Sequence, residues 1–337
     1  MATPRRVSMA DVARLAGVSS QTVSRVSTGS PDVVDSTREQ VLAAMRELGY
    51  RPNSAARALK LGAFRTIGVI LFSLASTGNS RTLEAIAAQA AHEGYAITLI
   101  PLAVPTQDSV LGAFTRLGEL AVDGIIVIME VHLLDAATVP LPPNVQVVVA
   151  DSNGGDLYSV VDSDQVDGAR QAVTHLLDLG HRTVWHVTGP EDSFASNRRA
   201  DAWRQTLAAA GRPAPPLLHG DWSAESGYRA GQLLADEPGC TAVFAANDQM
   251  ALGILRALHE RGKRVPHDVS VVGFDDVPEA ASFIPPLTTV HQDFAEVGRR
   301  CVQGVLRQIE RGTHETGTTL VPTRLVVRAS TAAAPPS

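Results

Sequence analysis

Apolar positions divide this chain into two textures. Up to residue 50 they recur at helical spacing in short blocks: Val12 and Leu15 within Met9–Ala16, Val23 and Val26 within Ser20–Ser27, then Val41, Leu42, Met45 and Leu48. Gly17 supplies a tight turn between the first two blocks, because glycine adopts positive φ at little cost. Ser19 is a good cap for the second helix, Ser36-Thr37-Arg38-Glu39 reads as a capping box opening the third, and Gly49 ends it. The pattern predicts three short helices around one miniature core. Arg51-Pro52-Asn53 interrupts it, and the alanine-rich stretch Ala55–Leu61 is too short to hold a helix alone. That stretch reads as a hinge.

From Thr66 onward the apolar residues come in continuous runs: Ile67–Phe72, Ala96–Leu102, Gly124–Met129, Val145–Ala150, Thr183–Val187, Ala242–Ala245 and Val269–Phe274. Unbroken runs separated by helical patterns indicate strands buried on both faces, hence parallel sheets covered by helices. The series predicts two α/β units, the second opening near Asp164. In such folds ligands bind beyond the carboxyl ends of the strands. Polar residues cluster there: Asp151, Asn247-Asp248 and Asp275-Asp276. Residues 331–337 read as a short, loose tail.

Composition narrows the class. The chain has 337 residues and is 45% hydrophobic, enough for sizeable cores, with no apolar run near the ~20 residues of a membrane helix. Two arginines near the N-terminus have no apolar stretch behind them, so no secretory signal is expected. Cys240 and Cys301 lie far apart and carry no metal spacing; they read as buried thiols of a cytoplasmic protein. Net charge is −6, but residues 1–62 hold nine basic and five acidic side chains, net +4, against −10 for the remainder. A basic head on an acidic body suits a phosphate-binding module attached to something that should not adhere to DNA.

The segment Asp11 to Val26 sharpens this. Helix, glycine turn and second helix leave Ser20, Gln21 and Arg25 at an exposed helix start, where Arg can read guanine and Gln adenine in the major groove. Ser19, Thr22 and Ser24 offer hydroxyls to phosphates. No dinucleotide fingerprint, phosphate loop, nucleophile elbow or metal-binding histidine spacing occurs, so no enzyme and no cofactor are expected. His175 and His181 flank a helix end and read as surface or capping residues.

Val18-Ser19-Ser20-Gln21-Thr22-Val23-Ser24-Arg25-Val26 and Tyr50-Arg51-Pro52-Asn53 resemble the DNA-reading segment and hinge entry of the LacI/GalR family, and the resemblance runs from Val7 to about Ser330. It implies a helix-turn-helix DNA-binding domain at 7–52, a hinge at 53–64, and a two-lobed, periplasmic-binding-protein-like body at 65–330. The lobes would comprise about 65–162 with 293–321, and about 163–292 with 322–330. It implies that Asn53 opens a hinge helix that forms on DNA, and that Leu59 wedges into the minor groove, a known way to kink a duplex.

Three further stretches, around Asp221-Trp222-Ser223, Asn247-Asp248-Gln249 and Ile284-Pro285-Pro286, are similar to one particular member of the family. By that resemblance Asp151, Arg199, Asn247, Asp275 and Gln292 would bond sugar hydroxyls, and Trp222 would stack on the ring's apolar face. A galactoside-type effector is the preferred expectation. Departures fall at Ser76–Asn79 and Asp162-Ser163, on the side beyond the first sugar ring, and at Ser20 in the DNA-reading segment. The expected partners are a pseudo-palindromic double-stranded operator, a sugar and a second copy of the chain; without leucine heptads after Ser330, a dimer is expected. Two alternatives remain: a periplasmic-type sugar-binding protein, and a regulator whose ligand tightens DNA binding.

Overall fold

A computed structural model describes residues 7–50, 63–74, 76–102, 107–120, 122–128, 145–151 and 157–336. The chain divides into two compact units, Met1–Arg65 and Thr66–Ser337.

The head holds α1 (Met9–Leu15), α2 (Ser20–Ser27) and α3 (Asp35–Glu47). Its core is small-sided: Val12, Ala16, Val23, Val26, Val41 and Met45 close on one another. Ser8, not anticipated, forms a capping box with Asp11. The box expected at Ser36 does not form. The third helix begins two residues earlier, with Val34 at the cap and no side-chain cap bond. Arg38 instead reaches back to the carbonyls of Ser30 and Val33 and pins the preceding loop. Leu15 and Leu42, assigned to the core by spacing, are exposed, because Ala13 and Ala44 take the inward positions and let the helices approach closely. The hinge stretch Ala55–Leu61 lies outside the described residues.

The body contains two six-stranded sheets. The first has β1 (Thr66–Leu71), β2 (Ala96–Pro101), β3 (Gly124–Ile128), β4 (Gln146–Ala150), β5 (Ser159–Ser163) and β11 (Gly317–Val321), in the order β11-β5-β4-β3-β1-β2, parallel throughout. The second has β6 (Trp185–Thr188), β7 (Leu218–His219), β8 (Ala242–Ala245), β9 (Ser270–Asp275), β10 (Thr288–His291) and β12 (Arg324–Val326), in the order β12-β10-β9-β8-β6-β7. Only β12 runs antiparallel. The apolar runs indicated seven strands. The five others carry polar residues (Ser159 and Asp162, Thr288 and Thr289) or lie at sheet edges, so hydrophobic continuity does not mark them.

Helices α4 (Thr77–His92), α5 (Gln107–Glu119) and α10 (Phe294–Arg311) cover the first sheet. Helices α6 (Gln165–Asp178), α7 (Phe194–Ala209), α8 (Ala224–Asp236) and α9 (Asp248–Glu260) cover the second. The chain passes between these two lobes at Asp164, at Gln292-Asp293 and at Pro322-Thr323. Two of the crossings are stitched together: Asp164 N–H donates to Val321 O at 2.8 Å, and Thr323 Oγ1 donates to Asp164 O at 3.0 Å. In the second lobe α8 and α9 touch backbone to backbone. A Cβ on Gly253 would lie 1.9 Å from Ala224 O, and one on Gly227 2.1 Å from Met250 O. Only glycine permits that approach.

Two further expectations are corrected. His181 is 1% exposed, held between Thr241 Oγ1 at 3.0 Å and Ser270 Oγ at 3.1 Å. His175 is half-buried, and its Nε2 meets Thr331 Oγ1 at 3.0 Å. Nor is the segment after Ser330 loose. Ala332 O lies 3.2 Å from His181, and Ala334 N–H donates to Leu179 O at 2.9 Å. Polar groups in a sequence carry no label saying that the partner is the chain's own end. The cysteines are buried and unpaired, and burial pushes both thiols up to about 12.

Candidate functional site

In the head, Ser19 caps α2: its Oγ accepts the Thr22 N–H at 3.1 Å and lies 3.0 Å from Thr22 Oγ1. Ser24 is half-buried, and its carbonyl accepts the hydroxyls of Ser27 and Thr28. Ser20, Gln21 and Arg25 are exposed, and Gln21 and Arg25 stand one turn apart on the same face. Val23 and Val26 occupy the opposite, buried face. A short helix thus presents an amide and a guanidinium outward from its first two turns, the geometry that groove reading requires. Asn53 and Leu59 lie outside the described residues.

In the body, Asp151, Arg199, Trp222, Asn247, Asp275 and Gln292 all line one cavity of about 60 Å³ between the lobes. They come from separate places. Asp151 follows β4, Arg199 sits in α7, Trp222 precedes α8, Asn247 caps α9, Asp275 ends β9 and Gln292 follows β10. Three residues on this rim hold left-handed backbone: Asp151 (φ 55°), Trp222 (φ 69°) and Asp275 (φ 108°). Such conformations cost of order 1–3 kcal/mol each and persist only where the surroundings impose them.

The surroundings here are explicit. Asn247 Oδ1 accepts Met250 N–H at 2.8 Å, while its Nδ2 donates to Trp222 O at 3.0 Å and holds the tryptophan backbone. The indole lies over Gly189, where any Cβ would stand 2.3 Å from the ring. Trp222 Nε1 is buried and meets no hydrogen-bond acceptor among the described residues. Behind the Asp275 turn, Asp248 is fully buried; its carboxyl accepts Thr289 Oγ1 at 2.5 Å and Val277 N–H at 2.8 Å. Burial, reinforced by the nearby Asp275 charge, pushes the Asp248 carboxyl well above the usual range.

Arg199 is 4% exposed. Its guanidinium lies 3.8 Å over the Phe274 ring, donates through Nε to Gln165 Oε1 at 2.8 Å, bonds the Ala246 carbonyl, and pairs with Asp275 at 3.9 Å. Gln292 Nε2 donates to Asp275 Oδ1 at 2.7 Å. The cavity therefore offers carboxylates, a guanidinium, amides and an aromatic plate, the set that vicinal hydroxyls and an apolar ring face require.

Sequence reasoning missed Gln165 and Gly189 in this constellation and marked Asp162 only as a departure beyond the first sugar ring. Gln165, the first residue of α6, bridges Arg199 and Gln292 and lines the cavity. Asp162, at the end of β5, is 2% exposed and forms an ion pair with Arg198. Burial raises its carboxyl pKa against the pull of Arg198. An acidic residue closing an otherwise apolar Val160-Val161 pair was the available signal for Asp162; nothing local marks Gly189, whose role depends on a ring 33 residues away. Among the described residues no group of three His, Cys, Asp or Glu side chains is placed to hold a metal, and no helix is long and apolar enough to cross a membrane.

Comparison with known proteins gives two family matches: bacterial regulatory proteins, lacI family, over residues 8–53, and a periplasmic binding protein-like domain over 173–331. The lactose operon repressor of Escherichia coli (strain K12), the member that the body stretches resemble, is 37% identical over 97% of this chain and 91% of its own length. A crystal structure of the lac repressor dimer bound to operator and the anti-inducer ONPF superposes with a TM-score of 0.88 at 36% identity, covering 98% of this chain and all of that one. A complex of the transcriptional regulator CelR with cellobiose matches with a TM-score of 0.68 at 32% identity, over 96% of this chain and all of that one. These relatives are transcription regulators and not enzymes. On that identity and coverage, the chain belongs to the lacI family of bacterial regulatory proteins.

Proposed function

We propose that this protein is a transcription repressor that grips a pseudo-palindromic operator as a homodimer and lets go when a sugar enters the cavity between the lobes of its body. The observation that carries the reading is convergence: six side chains of sugar-binding chemistry, drawn from widely separated positions, line a single cavity. In the head, Ser19, Ser20, Gln21, Thr22, Ser24 and Arg25 face operator DNA, with Gln21 and Arg25 reading bases. Asn53 and Leu59 belong to a hinge that folds on DNA, with Leu59 as the wedge. Asp151, Arg199, Asn247, Asp275 and Gln292 bond hydroxyls, and Trp222 stacks on the ring. The solved relatives bind an operator with the anti-inducer ONPF in one case and cellobiose in the other. Motif similarity to the lac repressor favours a galactoside here; the polar wall at Ser76–Asn79 and Asp162 favours a ligand with hydroxyls beyond its first ring.

A thermal-shift screen of the full chain against galactosides, glucosides and cellobiose tests this, since a ligand of the native state raises the melting temperature by mass action. The stabilising sugar should release a labelled palindromic operator. A stabilising sugar that tightens operator binding would replace induction by corepression. A chain that binds sugars but no DNA would be a sugar-binding protein only.

A further inference from the structure

The cavity is walled by residues of both lobes, so the room it offers a sugar grows as the lobes part. What resists that parting is visible. Besides the three chain crossings, Asp162 at the end of β5 in the first lobe pairs with Arg198 on α7 in the second. Asp162 is 2% exposed and Arg198 26%, so the charges meet largely out of water, where attraction is weakly screened. A neutral tie supports them: Gln249 Nε2, on α9, donates to Thr77 Oγ1, on α4, at 2.8 Å.

The pair is also wired to the ligand-facing groups. Gln165 Nε2 lies 3.3 Å from Asp162 Oδ1 and 3.2 Å from Gln292 Oε1, and Gln165 Oε1 accepts from Arg199. Gln292 in turn donates to Asp275. Separating Asp162 from Arg198 therefore disturbs the Gln165 bonds that reach Arg199 and Gln292 and, through Gln292, Asp275. We infer that the Asp162–Arg198 pair is a latch between the lobes, holding the cavity shut without ligand and setting how much sugar is needed to open it. The inference rests on the cavity being the effector site. A ligand can shift the two arrangements only by its differential affinity for them, so any stabilisation of the shut form raises the sugar concentration required.

The test uses the full chain with Asp162→Asn, Arg198→Gln and the double substitution, which leaves no buried charge orphaned. Amide hydrogen exchange without ligand is read first. The latch predicts exchange about five-fold faster or more at 76–82 and 194–199, which face each other across the cavity, with β3 and β8 unchanged; the double variant should match the singles. If a single variant fails to fold, the double one carries the same measurement. Unchanged exchange at those segments, or an equal rise in β3 and β8, would overturn the latch and leave the pair a general stabiliser. The second reading is the lactose or cellobiose concentration that half-releases operator, expected to fall about five-fold in Arg198→Gln, whose altered side chain does not line the cavity. An unchanged or higher concentration overturns the latch. If neither sugar releases operator from the unaltered protein, the effector reading fails separately, and the exchange data still decide whether the lobes are latched.

Discussion

The helix proposed to read DNA and the cavity proposed to hold the ligand would solve recognition in opposite ways. In the head, Gln21 and Arg25 project from a folded core to which they contribute nothing, and among the described residues their side chains make no hydrogen bond within the head. In the body, Arg199, Asp275 and Gln292 are each less than a tenth exposed and bonded to one another. A reader of an external surface can be changed without touching the fold. A clamp that also cements the interior cannot. Binding and stability are therefore separable in the first unit and fused in the second, and four experiments bear on that contrast.

The largest effect belongs to the cavity. Arg199→Ala leaves Asp275 and Gln165 without their buried partner, so it should cost about 3–5 kcal/mol of stability and abolish operator release by the cognate sugar together. Paired urea melts and release assays check this; sugar response surviving at normal concentration would remove Arg199 from the ligand site even if the protein were destabilised. Next comes the head. Arg25→Ala should weaken operator binding by about 1–3 kcal/mol and relax preference at one base pair per half-site, with an unchanged melting curve. An equal loss on specific and non-specific DNA would make Arg25 a phosphate contact.

A third experiment probes the interior through pH. His186 is fully buried, with Nδ1 2.8 Å from Phe244 O and its ring stacked on Phe244 at 4.5 Å, and burial pushes its pKa down to about 3. Unfolded histidine titrates near 6.5, so between 6.5 and 3 the unfolded state binds the extra proton. The stability contribution is full above pH 6.5 and is lost as pH falls through that window, at roughly 1.4 kcal/mol per pH unit. His186→Gln should flatten the acid limb of a denaturation series; an unaltered limb assigns the sensitivity elsewhere. The smallest effect is a non-event. With both thiols pushed up to about 12 and buried, Cys240 and Cys301 should resist thiol reagents at pH 8 until the chain unfolds. Rapid labelling of native protein would show that the interior opens more readily than its packing suggests.

How much of this was legible in the sequence depends on how far each message travels. The Gly17 turn and the Ser19 cap are local chemistry, and α2 starts where they place it. Asp151, Asn247 and Asp275 stand at strand ends, where polar residues after apolar runs can be read directly. Leu15 and Leu42 misled because periodicity cannot tell a leucine from an alanine as the inward-facing member of a close-packed helix pair. Asp162 with Arg198, Trp222 over Gly189, and His181 against Ala332 are encounters between distant segments. Hydrophobic patterning specifies which strands are buried, and it is silent on which polar groups the finished sheets bring together.

The interleaving of the lobes has a consequence for the order in which this protein can be made. The head's core is complete once residue 50 has emerged, and its contacts are all local. Neither lobe of the body enjoys that. The first needs α10 and β11, residues 294–321, to finish its sheet and cover it; the second needs β12 and the stretch from Ser330 to Ala334, which bonds Val271, His181 and Leu179. On a translating ribosome the apolar strands β1 to β4 must therefore wait through the synthesis of nearly two hundred further residues, roughly 10–40 s at ordinary elongation rates. A nascent chain would carry a finished head and an unfinished, adhesive body until residues 294–334 complete both lobes.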